Sequence, residues 1–213
     1  MSLRDEVAAA SRRLAVEGLL VGTAGNVSAR DGDRVAVTGT GVVLSECTPD
    51  DVTEVSMAGQ VLAGGLVPTS ELDLHLAVYA AAGAGAVVHT HAPYSTAVAC
   101  VLDELPVLHY QQLLLGGAVR VAPYATFGTA ALAASVVTAL DGRQAALMAN
   151  HGSVSVGSTL DQAVGNALLL EWLAALHHRA STLGIPRVLT DPQQVDVIDQ
   201  ALRRDYGTTQ ENP

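Results

Sequence analysis

The sequence contains no lysine, and all eleven of its basic residues are arginine. A lysine Schiff base is therefore excluded, and any carbonyl chemistry must be polarised by something else, of which a metal ion is the simplest. Cysteine is almost as scarce. Cys47 and Cys100 have neither metal-binding nor redox spacing, and they read as a reduced, buried pair of small apolar residues. No apolar run is long enough to span a membrane, the longest (Leu76 to Val88) being loosened by Gly83 and Gly85. The opening Met1 to Glu6 carries charge where a secretory signal carries apolar residues. Positive charge is also short: 11 basic against 21 acidic residues leave a net charge of -10. That balance, with a pI near 4.9, argues against nucleic acid or an anionic membrane as partner. The expectation is a soluble cytoplasmic protein.

With 213 residues and 49% apolar composition, the chain suffices for one domain with a sizeable core, taken as residues 1–213 with a polar tail from about 207. A first helix is predicted from Ser2 to Gly18, with an apolar stripe at Val7, Ala10, Leu14 and Val16. The period then changes to two. Asn26 to Arg30 and Arg34 to Thr38, joined through Asp31-Gly32-Asp33, predict a hairpin, and short strands follow at Val52 to Val55 and Gln60 to Leu62. Ser70 with Asp73 predicts a capping box opening a helix from Glu71 to Ala82, which puts Glu71 in its first turn. Further helices are expected at Pro93 to Val101, Thr129 to Leu140, Thr159 to Leu183 and Asp191 to Arg204, with strands at Ala86 to His91 and Ala145 to Ala149. Helices interleaved with short, hairpin-linked strands imply a three-layer α/β/α sandwich on a mixed, mostly antiparallel sheet.

His89 and His91 fall two apart on a strand, so their imidazoles leave the same side of its end. His151, sixty residues on, follows another strand. Three histidines of this kind can hold a catalytic zinc with one position open, and a lone carboxylate, Glu71, stands upstream. His75, four residues after Glu71, offers a second pairing, which the full histidine set makes unnecessary. His109 reads as structural or interfacial, and His177 and His178 as surface or packing residues.

In order and approximate spacing, these motifs resemble the zinc-dependent class II aldolases of sugar phosphates, the branch acting on L-fuculose 1-phosphate being nearest. The resemblance rests on Gly22-Thr23-Ala24-Gly25-Asn26-Val27-Ser28, Thr38-Gly39-Thr40-Gly41, Thr69-Ser70-Glu71, His89-Thr90-His91, His109-Tyr110, Gly116-Gly117, Ala122 to Thr129, and His151-Gly152, and it covers nearly the whole chain. It implies a homotetramer with active sites at subunit interfaces and one zinc per subunit, held by His89, His91 and His151. It also implies Glu71 as the proton-transfer base, with Asn26, Thr40, Gly41, Thr69 and Ser70 as the phosphate pocket. Tyr110 would be the acid that protonates the aldehyde oxygen, and Tyr206 the tail tyrosine lent to a neighbouring subunit. For its task Glu71 would need a pKa raised toward neutrality, which partial burial by Leu72 and Leu74 would favour. The implied reaction is retro-aldol cleavage of a ketose 1-phosphate to dihydroxyacetone phosphate and a short aldehyde. The same family also houses pentulose-phosphate 4-epimerases, dehydratases and decarboxylases, and the non-enzymatic adducin head; intact His89, His91, His151 and Glu71 speak against a scaffold. Two departures stand out: Thr69-Ser70 replaces the usual Ser-Ser, and Arg203 occupies the place of an aromatic three residues before Tyr206.

Overall fold

The Ser2 hydroxyl accepts the Asp5 N–H while the Asp5 carboxylate accepts the Ser2 N–H, and this capping box starts helix α1 (Leu3–Val16). These contacts belong to a computed structural model, which describes residues 2–204. After α1 the chain forms strands β1 (Asn26–Asp31), β2 (Arg34–Thr38), β3 (Val52–Ser56) and β4 (Val61–Ala63). Helix α2 (Leu72–Ala82), β5 (Ala86–Thr90), α3 (Pro93–Ala99) and β6 (Glu104–Leu105) follow. A 3-10 segment (Tyr110–Leu115) leads to β7 (Val119–Ala122), α4 (Ala130–Leu140), β8 (Ala145–Met148), β9 (Gly152–Gly157), α5 (Leu160–Leu183) and α6 (Asp191–Arg204).

The strands form one nine-stranded sheet in the order β4-β3-β2-β1-β5-β9-β8-β7-β6. Among the described strands only β7 and β8 run parallel. Alternation along the strands sends Val27, Ala86 and Val88 to one face, against Val7 and Leu14 of α1 and Val164 and Ala167 of α5. Val87, Val154 and Val156 face the other way, against Leu74 and Val78 of α2 and Leu132 and Val136 of α4. Each fully buried side chain of this size contributes about 1.5–3 kcal/mol. Helix α3 joins the first layer, where Val98 and Ala99 meet Leu147, Leu170 and Leu173. The expected three-layer sandwich is the fold observed.

Several local expectations need correction. The hydroxyl engaged just before α2 belongs to Thr69, which accepts the Glu71 N–H at 3.3 Å; no side chain caps the helix, and no box joins Ser70 to Asp73. Glu71 thus occupies the N-cap position and α2 begins at Leu72. Val16 leaves the apolar stripe and is 87% exposed, and of the two free cysteines only Cys47 is buried. Strands β6, β7 and β9 and the 3-10 segment were not expected at all. Helix α6 buries none of its residues, and Val195, Ile198 and Leu202 are exposed along it. No described helix is long and apolar enough to cross a membrane. Tyr206 lies outside the described residues.

Candidate active site

The site grows from the register of three adjacent strands. On β5, His89 sits opposite Asn26 of β1 and Val154 of β9. Its ring is fully buried and its Nδ1 donates to the Ser153 carbonyl at 2.9 Å, which fixes the tautomer and leaves the Nε2 lone pair free to ligate. His91, just past the strand end, brings its Nε2 to 2.9 Å from His89 Nε2. His151 arrives from the turn between β8 and β9, where Asn150 takes a left-handed conformation at φ 56°. Gly152 makes the approach possible, since a Cβ there would lie 2.3 Å from the Thr90 carbonyl oxygen. The hairpin end therefore presses onto the end of β5. The three ring centroids are 4.8, 4.9 and 4.9 Å apart, and the potential ligand nitrogens all lie within 4.8 Å of one another.

Glu71 completes the cluster. Its Oε2 accepts from Asn26 Nδ2 at 2.9 Å and lies 3.1 Å from His89 Nε2. Its Oε1 lies 3.6 Å from His151 Nε2 and, although buried, has no hydrogen-bond partner among the described residues. Burial alone would raise this carboxyl, but positive charge shared at His89 and His151, as a proton or a bound cation, together with the Asn26 amide outweighs it and holds the group well below the usual carboxylate range. The expectation of a raised Glu71 pKa is thus reversed. Burial, aided by the neighbouring imidazoles, lowers His91 to about 4 and also lowers His151, so both rings are neutral at pH 7.

This donor set fits a divalent cation. With Nδ1–H of His89 given to Ser153, its Nε2 faces a second imidazole nitrogen and a carboxylate oxygen. Acceptors so arranged attract one another only through a shared proton or cation. Three neutral imidazoles and a carboxylate are a common zinc environment, and nitrogens on a tetrahedral zinc stand about 3.3 Å apart. His75 is not part of the group.

A cleft of about 460 Å³ opens over the histidines and is lined by Asn26, Thr40, Gly41, Thr69, Ser70, Glu71, His91 and His151. Every predicted metal and phosphate-pocket residue except the fully buried His89 therefore lines a single cleft. Its lining includes no arginine. Tyr124 and Phe127, 67% and 63% exposed, supply an aromatic wall that sequence reasoning assigned no role. Asn26 is engaged at both ends of its amide, at Glu71 through Nδ2 and at His75 through Oδ1. Burial holds His75 neutral with a pKa lowered to about 3. Its place four residues after Glu71 signalled a shared helix face, but its partners lie on β1 and were not foreseeable from spacing.

Tyr110 does not line the cleft. It stands 40% exposed on the 3-10 segment, beside a groove formed with α6. His109 next to it packs edge-on against Trp172 of α5, with ring centroids 5.0 Å apart, in keeping with a structural role.

The sequence model described as "Class II Aldolase and Adducin N-terminal domain" matches residues 5–178. A 5-methylthioribulose-1-phosphate/5-deoxyribulose-1-phosphate aldolase of Rhodospirillum rubrum is 35% identical over 215 aligned residues, covering 100% of this chain and 96% of that protein. The L-fuculose phosphate aldolase of Escherichia coli is 39% identical over 192 residues, covering 89% of this chain and 88% of its own. A solved structure of an L-fuculose 1-phosphate aldolase superposes with a TM-score of 0.89 at 32% identity, covering 93% of this chain and 95% of the other.

Proposed function

The chain belongs to the class II aldolase and adducin N-terminal domain family, and on that premise we propose that it cleaves a ketose 1-phosphate, of the fuculose 1-phosphate type, to dihydroxyacetone phosphate and a short aldehyde. The observation that carries the reading is the convergence of three imidazoles and a carboxylate at one cleft, lined by His91, His151 and Glu71 together with neutral hydroxyl and amide groups. His89, His91 and His151 would hold zinc. When bound, zinc supplies positive charge beside the carbons on which negative charge develops during cleavage.

The chain's own residues do the rest. Glu71 exchanges the proton on the carbon next to the carbonyl, and Oε1 is the oxygen turned to that task because Oε2 is held by Asn26. Thr40, Thr69 and Ser70 hydroxyls with the Gly41 N–H receive the phosphate without a cationic side chain, while Asn26, expected among them, is engaged by Glu71 and His75. The aldehyde end lies toward Tyr124 and Phe127, a wall suited to a methyl-terminated aldehyde. The relatives' names agree with this, since 5-deoxyribulose, 5-methylthioribulose and L-fuculose all end in a methyl group.

Transfer of the proton that leaves the C4 hydroxyl in cleavage, and returns to the aldehyde oxygen in condensation, is assigned to Tyr110. In this reading the active assembly is a cytoplasmic homotetramer, and the 3-10 segment of one copy completes the cleft of another. The exposed position of Tyr110, apart from its own cleft, supports that arrangement.

The test is condensation, read by mass, of dihydroxyacetone phosphate with a panel of short aldehydes. Ketose 1-phosphate products that vanish on chelation and return with zinc are expected. Epimerisation or dehydration of a supplied pentulose phosphate, without carbon–carbon bond formation, would overturn the assignment in favour of another reaction of the family.

A further inference from the structure

Behind the cleft, a buried line of side chains joins α2 to the sheet. The Tyr79 hydroxyl lies 2.7 Å from Ser28 Oγ, which lies 2.7 Å from His75 Nδ1. His75 Nε2 lies 2.5 Å from Asn26 Oδ1, and Asn26 Nδ2 lies 2.9 Å from Glu71 Oε2. Exposure along the line is 1% for Tyr79, 0% for Ser28 and His75, 5% for Asn26 and 6% for Glu71. Water therefore does not compete for these bonds.

The proton on each bond follows from its end point. Asn26 places its Nδ2 amide, which can only donate, on Glu71 Oε2 and its Oδ1, which can only accept, on His75 Nε2. His75 must then donate from Nε2. Being neutral, it keeps a lone pair on Nδ1, which accepts the Ser28 hydroxyl proton. Ser28 Oγ in turn accepts from the Tyr79 hydroxyl. Four hydrogen bonds thus point one way, toward Glu71.

We propose that His75 is a positioning residue for Glu71, locking the Asn26 amide so that its N–H, and not its carbonyl, meets Oε2. The inference rests on the reading of Glu71 as the base. An amide released from His75 is free to turn over and set its carbonyl against the carboxylate, which loses a bond to a charged group and adds repulsion. The carboxylate plane is then no longer fixed, and neither is the choice of Oε1 as the reacting oxygen. The loss in rate should be on the order of tenfold to a hundredfold, the scale of one hydrogen bond to a charged group.

Two measurements on zinc-loaded protein test the proposal. Nitrogen-15 NMR of the imidazoles should find His75 neutral with its proton on Nε2; a proton on Nδ1, or on both nitrogens, overturns the proposal without reference to activity. The second is exchange of the dihydroxyacetone phosphate proton with D2O. H75Q keeps an N–H donor facing Asn26 and should stay close to the wild-type maximal rate, whereas H75L should fall by the stated factor with KM little changed and zinc retained. Equal losses in the two variants, or no loss in H75L, would overturn it; if H75L does not fold, the tautomer and the H75Q rate still decide. In an E71Q background H75L should cost nothing more. Wild-type exchange by E71Q itself would sink the assignment of Glu71 as base while leaving the tautomer result standing.

Discussion

At the scale of single residues, Glu71 and His75 show how far position overrides intrinsic chemistry. Glu71 is buried, which alone would neutralise it, yet the Asn26 amide and positive charge at the His89 and His151 cluster, whether a proton or a bound cation, keep it ionised. Replacing it by Gln preserves its size and removes the base, so turnover should fall on the order of 10²-fold or more while zinc and phosphate still bind. Isotope exchange and metal analysis on one preparation check both halves. His75 makes a separate prediction about stability. Its folded pKa of about 3 lies below the ordinary 6.5 because burial disfavours the charged ring. Between those values the unfolded chain binds a proton that the native protein refuses, so His75's contribution is intact above pH 6.5 and is lost as pH falls toward 3, by up to about 1.4 kcal/mol per pH unit. Thermal midpoints of wild type and H75Q between pH 7.5 and 5 should diverge, with the wild type steeper. Parallel curves would mean the ring is not kept neutral by burial.

At the scale of elements, the turn between β8 and β9 is the part most sensitive to small change. G152A places a methyl group against the Thr90 carbonyl. It should destabilise the protein by about 2–4 kcal/mol and push His151 out of register with His89 and His91. Denaturant midpoint and zinc content should fall together, and a fall in stability with full zinc occupancy would show that the turn does not place the ligand. Elements governed by local signals were legible in the sequence. The helix starts at Ser2, Thr129 and Thr159 and the Gly32 turn each depend on residues a few positions apart. Strand β9 was overlooked although Gly152 to Gly157 alternates serine and valine with a period of two; what that alternation does not show is that both faces are buried. The hydroxyl engaged before α2 was misplaced by one residue because Thr69 and Ser70 offer the same group and only the backbone path chooses between them. In the site, His89, His91 and His151 were legible from residue type and strand position. The link from Asn26 to His75 was not, since it crosses from strand to helix over 49 residues.

For the whole molecule, the decisive question is whether neighbouring copies complete the cleft. Truncation after Arg204 should spare folding, zinc and assembly, because the core clusters all lie upstream of α6. Carbon–carbon cleavage should nevertheless drop strongly while proton exchange on dihydroxyacetone phosphate survives, since that half-reaction needs no aldehyde site. Y206F should reproduce part of the loss, and full cleavage by the truncated chain would leave proton transfer at the C4 oxygen to Tyr110 alone.

The position of β5 carries one more consequence. It is the fifth of nine strands, paired on both sides, so its amides should be among the last to exchange with solvent. His89 is anchored there, and its partners come from segments the sheet must assemble before the three nitrogens can meet. The conformational entropy of gathering them is thus met by folding itself, unlike in small zinc domains that stay unfolded until the ion arrives. On this geometry the chain should fold first and bind a metal second.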